Sequence, residues 1–301
     1  MMETSPRRIA SFLPAATEMA CALGLEALLV GVSHECDHPA SVREKPVVVR
    51  NAVEMAALGP SEIDAVVSAR LEAGESLYAV DETLMRALEP DLILTQDLCQ
   101  VCAPSGNDVT RLLFSLDKKP DVLYFTPRTL SDVDDDLRRL GDATGRRAEA
   151  DTLLVRNRRR LDAVERRIAK VTKRPRVFFA EWVDPVYCAG HWVPEMIERA
   201  GGEPILACPG ADSVRVSRDD VMAAKPEVII VAPCGYSLSG AITQAARLGL
   251  TASRMYAVDA NSYFARPGPR LVDGVELLAH LLHPDVAEQP AGATTGFREL
   301  L

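Results

Sequence analysis

Short apolar runs alternate along this chain with longer segments in which apolar residues recur near helical spacing. Four of the runs have the length of strands, and they lie at residues 9–13, 92–95, 176–180 and 228–231. Continuous apolar runs of this length are typical of strands buried on both faces, and strands that alternate with helices form parallel sheets. The pattern therefore predicts an α/β fold.

The middle of the chain has a different pattern. A charged helix is predicted over residues 131–140, and the two glycines within residues 141–145 should end it. Residues 146–171 contain neither glycine nor proline, and their apolar residues recur near helical spacing. A helix of that length spans roughly 39 Å. Such a segment can join two domains rigidly.

We therefore predict two Rossmann-like lobes joined by a single long α-helix, with a ligand cleft between the lobes. The predicted parts are an N-terminal lobe at residues 1–130, a linking helical segment at 131–172 and a C-terminal lobe at 173–301. The tail after residue 284 contains proline and glycine, so we expect it to be loosely ordered.

Thiol and imidazole side chains follow the predicted strands in both halves of the chain. They are His34, Cys36, Cys99, Cys102 and Cys234. In open α/β sheets, ligands bind outside the carboxyl ends of the strands. We therefore expect these groups at the rim of one cleft, where they are candidate metal ligands.

Several interpretations of these groups stay open. The loops with Cys36 and with the Cys99–Cys102 pair are predicted to follow neighbouring strands, and Cys234 would approach from the other lobe. Four thiolates hold zinc or an iron–sulfur cluster, whereas a corrinoid cobalt needs only one axial ligand. The C-x-x-C spacing of Cys99 and Cys102 also fits a redox pair or simple packing.

Aromatic residues are concentrated in one stretch of the predicted second lobe. They make up 5% of the chain, yet both tryptophans lie close together, beside Tyr187 and His191. Flat macrocycles are held by aromatic faces and a few polar groups, so we expect Trp182, Tyr187 and Tyr236 to enclose a ligand, with His191 at its edge. Trp192 directly precedes a predicted helix, and packing beneath that helix is an equal alternative.

A loop punctuated by prolines, residues 263–270, adds further polar groups. Arg266 is placed to bind carboxylate, amide or phosphate groups of a ligand, or to brace the loop by pairing with Asp259. Tyr263 begins the same loop. Asp97 lies at another predicted strand end, where a single carboxylate commonly caps a turn.

Composition and charge exclude several classes of function. The 301 residues carry a net charge of −9, so nucleic acid is not an expected partner. No apolar run is as long as a membrane span, which needs about 18 residues. The segment before the first predicted strand, residues 1–8, is short and polar, unlike a secretory signal. A cytoplasmic protein with reduced thiols is therefore expected. We find no P-loop, nucleophile elbow or Ser, His and Asp set, and therefore predict no enzyme.

Several segments resemble the class III, helix-linked substrate-binding proteins of ABC importers, and in particular their cobalamin-binding branch. The matching segments are residues 33–39, 74–78, 91–103, 233–236 and 263–270. The resemblance implies a small metallo-ligand, either a cobalamin-like corrinoid or a related metallo-tetrapyrrole or iron chelate. It adds Gln96 as a candidate ligand contact. It also implies an ABC permease as partner and, if a leader has been removed, a periplasmic location.

Overall fold

A computed structural model describes residues 8–55, 57–96, 104, 106–290 and 295–300. The chain divides into two compact units. Unit 1 consists of Met1–Thr126 and Asp134–Leu153, and unit 2 consists of Pro127–Val133 and Leu154–Leu301. Among the described residues, no helix combines the length and the apolar character needed to cross a membrane.

Unit 1 contains a six-stranded sheet in the order β4-β3-β2-β1-β5-β6. Its strands are β1 (Ile9–Ser11), β2 (Leu29–Ser33), β3 (Val47–Asn51), β4 (Tyr78–Val80), β5 (Leu92–Gln96) and β6 (Asp121–Phe125). All neighbours are parallel except β3 and β4. The helices are α1 (Pro14–Ala22), α2 (Pro60–Glu72), α3 (Glu82–Leu88) and α4 (Gly106–Ser115). The carboxyl ends of the parallel strands thus share one edge of the sheet.

Local sequence signals explain where these helices begin. Pro14 occupies the first turn of α1, where its missing N–H costs no hydrogen bond. The Asp81 carboxylate caps α3 by accepting a hydrogen bond of 2.9 Å from the Leu84 N–H, as its position before the helix predicts. Side chains such as Phe12 and Ile93 form the core between sheet and helices.

Two helices carry the chain between the units: α5 (Leu130–Thr144) and α6 (Arg147–Ile168). The helix predicted over residues 146–171 is α6. The predicted break at Gly141 is wrong, because α5 continues to Thr144 and the chain turns at Gly145, which has φ +69°. Gly141 serves close packing instead, since a Cβ there would lie 2.9 Å from the Ala150 Cβ.

Unit 2 contains a second sheet with the order β12-β11-β10-β7-β8, and β9 also pairs with β7. Its strands are β7 (Arg176–Val183), β8 (Val186–Cys188), β9 (Glu203–Pro204), β10 (Val228–Val231), β11 (Arg254–Val258) and β12 (Phe297–Glu299). The helices are α7 (Val193–Arg199), α8 (Arg218–Ala223), α9 (Leu238–Leu248), α10 (Ala260–Tyr263) and α11 (Leu271–Leu282). Strands β9, β7, β10 and β11 are parallel.

The expectation of a loosely ordered tail is wrong at its end. Strand β12 pairs antiparallel with β11, with Ala257 opposite Arg298. The sequence pattern also misses β4 and β8, which are three residues each. Runs this short carry no readable alternation, and they become strands because a neighbouring strand offers unpaired backbone groups.

Candidate functional site

Two aromatic rings meet at the carboxyl ends of adjacent parallel strands in unit 2. Trp182 lies at the end of β7 and Tyr236 follows β10, and their ring centroids are 5.7 Å apart with an interplanar angle of 57°. After β7 the chain forms β8 and then β9 on one side of that strand, while β10 lies on the other. The two rings therefore sit at the topological switch point of the sheet, where α/β folds bind ligands.

Backbone contacts fix the position of Trp182. Its indole Nε1–H donates to the Asp184 carbonyl at 3.2 Å. The antiparallel pairing of β7 with β8 places Trp182 opposite Tyr187. Both side chains are partly exposed. The structure thus brings together three of the predicted aromatic ligand contacts: Trp182, Tyr187 and Tyr236.

The turn after β10 fixes Tyr236 and carries Cys234. Gly235 has φ +84°, a conformation that favours glycine, and the Cys234 N–H donates to the Glu181 carbonyl at 3.1 Å. A Cβ on Gly240 would lie 2.6 Å from the Tyr236 ring, so the ring rests directly on the backbone of α9. The half-buried Cys234 thus belongs to the same turn as one of the two rings.

His191 belongs to a small charged cluster in unit 2. Its Nε2 lies 3.3 Å from Asp212 Oδ1, which also accepts a bond of 2.9 Å from Arg128. Burial lowers the pKa of His191, and the neighbouring Asp212 carboxylate only partly opposes this. Its backbone has φ +53°. The imidazole is therefore held mainly neutral near pH 7.

The remaining predicted contacts of unit 2 differ in exposure. Trp192 is 7% exposed and its Nε1–H donates to the Phe264 carbonyl at 2.8 Å, which confirms the packing alternative for this residue. Tyr263 is also buried, against the backbone of Gly296, and burial raises its pKa. Arg266 is half-buried in the loop that follows. Tyr263 thus lies in the interior rather than at a rim.

In unit 1 the thiol of Cys36, after β2, points into the protein. Cys36 is 4% exposed, and its Sγ lies 3.1 Å from Thr17 Oγ1. The Thr17 hydroxyl donates its single proton to Ser11 Oγ, and the Ser11 hydroxyl donates to the Leu13 carbonyl. The Cys36 thiol therefore donates its proton to Thr17. A protonated, interior thiol suits packing better than metal ligation.

The other strand-end groups of unit 1 are His34 and Gln96. His34 Nδ1 is 3.2 Å from the Val49 carbonyl, and the ring lies against Tyr78 at 6.3 Å. Gln96 ends β5 and is buried. Asp97, Cys99 and Cys102 lie outside the described residues. His34 therefore contacts the protein's own backbone, and Gln96 lies in its interior.

The expectation that the Cys36 loop follows a neighbour of the 92–95 strand is wrong. Strand β1 lies between β2 and β5, so the two loops begin two strand spacings apart, or about 10 Å. Within the part of the chain that the structure describes, no three His, Cys, Asp or Glu side chains are grouped to hold a metal ion. The structure therefore offers no support for the zinc or iron–sulfur interpretation.

Sequence reasoning missed a cavity of about 640 Å³ in unit 1. Its polar lining includes Arg70, Glu75, Tyr78, Asp108 and Arg111. The charges pair locally, since Arg70 contacts Glu75 and Arg111 contacts Asp108. The segment 74–78 of the family resemblance lies along this cavity, which is the one sequence signal that pointed to it.

Comparisons with known proteins extend over most of the chain. The family model described as periplasmic binding protein matches residues 9–257. A vitamin B12-binding protein from Yersinia pestis is 27% identical over 227 residues, which cover 74% of this chain and 69% of that protein.

Solved structures share the fold. A periplasmic heme binding protein from Pseudomonas aeruginosa superposes with a TM-score of 0.71 at 20% identity, covering 93% of this chain and 94% of the other. The periplasmic vitamin B12 binding protein BtuF of Vibrio cholerae gives a TM-score of 0.63 at 23% identity, covering 92% and 97%. These structural similarities confirm the predicted two-lobed α/β fold class. The family match agrees with the prediction of a binding protein in place of an enzyme. The chain belongs to the periplasmic binding protein family, in agreement with its resemblance to class III substrate-binding proteins.

Proposed function

We propose that this protein binds a cobalamin-like corrinoid, or a related metallo-tetrapyrrole such as haem, on the aromatic face of unit 2. The observation that carries the proposal is the pair Trp182 and Tyr236, with centroids 5.7 Å apart at the switch point of the sheet. A macrocycle offers a large flat surface, and aromatic rings bury such a surface at low entropic cost.

Other side chains of unit 2 are candidates to hold a metallo-ligand. Cys234 lies in the same turn as Tyr236, and its soft sulfur is a candidate axial ligand or edge contact. His191, held neutral by burial, is a second candidate, because only a neutral imidazole can coordinate a metal. Arg266 is the candidate partner for amide or carboxylate side groups of the macrocycle.

The comparisons favour the same ligand class. Relatives at 27% identity are named for vitamin B12, and structural neighbours are named for both heme and vitamin B12. By analogy, the loaded protein would deliver its ligand to an ABC permease. The family description favours the periplasmic alternative for its location.

Titration of the purified protein with hydroxocobalamin and, separately, with haemin tests the proposal. We expect a shift of the visible spectrum and a Kd in the micromolar range or below for at least one of the two. Absence of binding to both ligands, measured by absorbance and by calorimetry, would overturn the proposal.

Variants of the aromatic face locate the site. Trp182→Ala and Tyr236→Ala should each weaken binding by about tenfold or more, which corresponds to about 1.4 kcal/mol. The matched control is Phe114→Ala, because Phe114 is an aromatic residue of unit 1 that is 79% exposed. Equal affinity in all three variants would show that the ligand binds elsewhere.

A further inference from the structure

Two cysteines of unit 2, Cys188 and Cys208, lie in segments that are bonded to each other. Cys188 ends β8, is 1% exposed, and its thiol donates to the Leu206 carbonyl at 3.0 Å. Cys208 follows two residues after Leu206 and is exposed to solvent. The thiol of Cys188 thus already contacts the backbone of the segment that carries Cys208.

Backbone hydrogen bonds hold this segment alongside Cys188. The Cys188 N–H donates to the Val214 carbonyl at 3.0 Å. His191 exchanges two further bonds with the loop, donating to the Ala211 carbonyl and accepting from the Gly210 N–H. Cys208 therefore lies between two points, Leu206 and Gly210, that both touch the stretch from Cys188 to His191.

The two thiols differ in a way that suits sequential chemistry. Burial raises the pKa of Cys188, and a negative charge on Cys208 adds to this effect. Cys208 is exposed and can react with a small reagent in solution, whereas burial shields the Cys188 thiol from such a reagent. An exposed thiol reacts first and a buried neighbour resolves the product.

The cysteines of unit 1 that the structure describes lack this arrangement. Cys36 is buried and donates to Thr17. Burial raises the pKa of Cys21 to about 12, with Glu26 adding to the effect. Neither thiol is as exposed to a reagent in solution as Cys208 is, so we expect the first step of exchange to be slower at both of them.

We propose that Cys188 and Cys208 form a disulfide by exchange with a small-molecule disulfide such as oxidised glutathione. In the first step the Cys208 thiolate attacks one glutathione sulfur, a mixed disulfide forms, and one glutathione thiolate leaves. In the second step Cys188 loses its proton and attacks Cys208 Sγ, which releases the second glutathione. The two protein sulfurs lose two electrons in total, and the glutathione disulfide is reduced to two thiols.

The bond would tie β8, which carries Tyr187, to the loop at residues 205–216. Forming it breaks the hydrogen bond from Cys188 to Leu206 and replaces it with a covalent link. Closing a loop of about 20 residues restricts the unfolded chain, and we expect the thermal midpoint of the oxidised protein to rise by about 5 °C.

Peptide mapping tests the proposal on the full chain. The native protein is incubated with oxidised glutathione, its free thiols are alkylated, and it is digested without reductant and analysed by mass spectrometry. We expect a linked peptide pair containing Cys188 and Cys208, absent after reduction. The Cys208→Ser variant is the control, and because this side chain is exposed the variant should fold; in it Cys188 should stay a thiol.

Two outcomes would overturn the proposal. One is a stable glutathione adduct on Cys208 while Cys188 is alkylated as a free thiol. The other is a disulfide that joins Cys208 to any cysteine except Cys188. An unchanged thermal midpoint in protein that contains the link would refute the expected stabilisation.

Discussion

Both units carry reactive or aromatic side chains at the ends of their parallel strands, and these side chains differ in exposure. In unit 1, Cys36 after β2 is buried and bonded to Thr17, which is bonded in turn to Ser11 of β1. In unit 2 the rings of Trp182, at the end of β7, and Tyr236, after β10, stay partly exposed. The comparison teaches that a reactive or aromatic residue at a strand end becomes available to a ligand only where the packing leaves it uncovered.

The same contrast divides the two tryptophans within unit 2. Trp192 packs inside the unit and its indole N–H donates to the Phe264 carbonyl, whereas Trp182 is partly exposed and its indole N–H donates to the Asp184 carbonyl two residues away. Both residues occur in one short stretch of sequence. Burial therefore separates a structural tryptophan from a candidate ligand contact.

We expect the largest effect from the Trp192→Ala substitution, which should reduce the stability of the protein. Removing this buried side chain should lower the free energy of unfolding by about 3–5 kcal/mol, because a large cavity forms and the Phe264 carbonyl loses its donor. Urea denaturation followed by circular dichroism measures the loss. Trp182→Ala is the matched variant and should cost far less stability, and equal losses would break the distinction between the two tryptophans.

A second test concerns the buried thiol of unit 1. Cys36→Ala should lower the free energy of unfolding by about 2 kcal/mol, because Thr17 loses its buried donor and a cavity remains. Binding of hydroxocobalamin or haemin should stay unchanged. A variant with intact stability and lost affinity would show that Cys36 contacts the ligand, and would erase the contrast between the units.

The Gly240→Ala variant tests whether the position of the Tyr236 ring in unit 2 matters for binding. The added methyl group would lie 2.6 Å from the Tyr236 ring and must displace it, so the affinity should fall by about tenfold, or about 1.4 kcal/mol. Stability should not fall with it, because alanine favours a helix more than glycine does by about 1 kcal/mol. Titration and thermal unfolding of the same sample separate the two effects. Unchanged affinity would count against a fixed Tyr236 ring as part of the site.

The smallest effect is the pH dependence of unit 2. Burial lowers the pKa of both His191 and His283. The unfolded chain therefore takes up protons at a higher pH than the folded unit. Their contribution to stability is complete above about pH 6.5 and decreases as the pH falls toward the depressed values.

Urea denaturation at several pH values between 7.5 and 5 measures this slope. The variant His191→Asn retains a residue that tolerates the positive φ at this position, and should reduce the slope. A slope identical to that of the unaltered protein would show that His191 titrates in the folded state as it does in the unfolded chain.

Much of the architecture follows from the sequence because its signals are local. The cap at Asp81, the proline at the start of α1 and the apolar strands β1, β5, β7 and β10 act within a few residues of chain. Propensity, capping and the length of apolar runs predict such elements without tertiary contacts. The alternation of strands and helices was sufficient to predict the α/β class.

Tertiary structure alone decided which candidates are available to a ligand. Strand order separates the loop of Cys36 from the end of β5, and packing turns Tyr263 and Trp192 inward while Trp182 and Tyr236 meet at a partly exposed face. The pairing of β12 with β11 likewise joins residues that are far apart in the chain, such as Ala257 and Arg298. Contacts of this kind depend on burial and on distant backbone partners, and neither quantity is encoded in the residues next to the site.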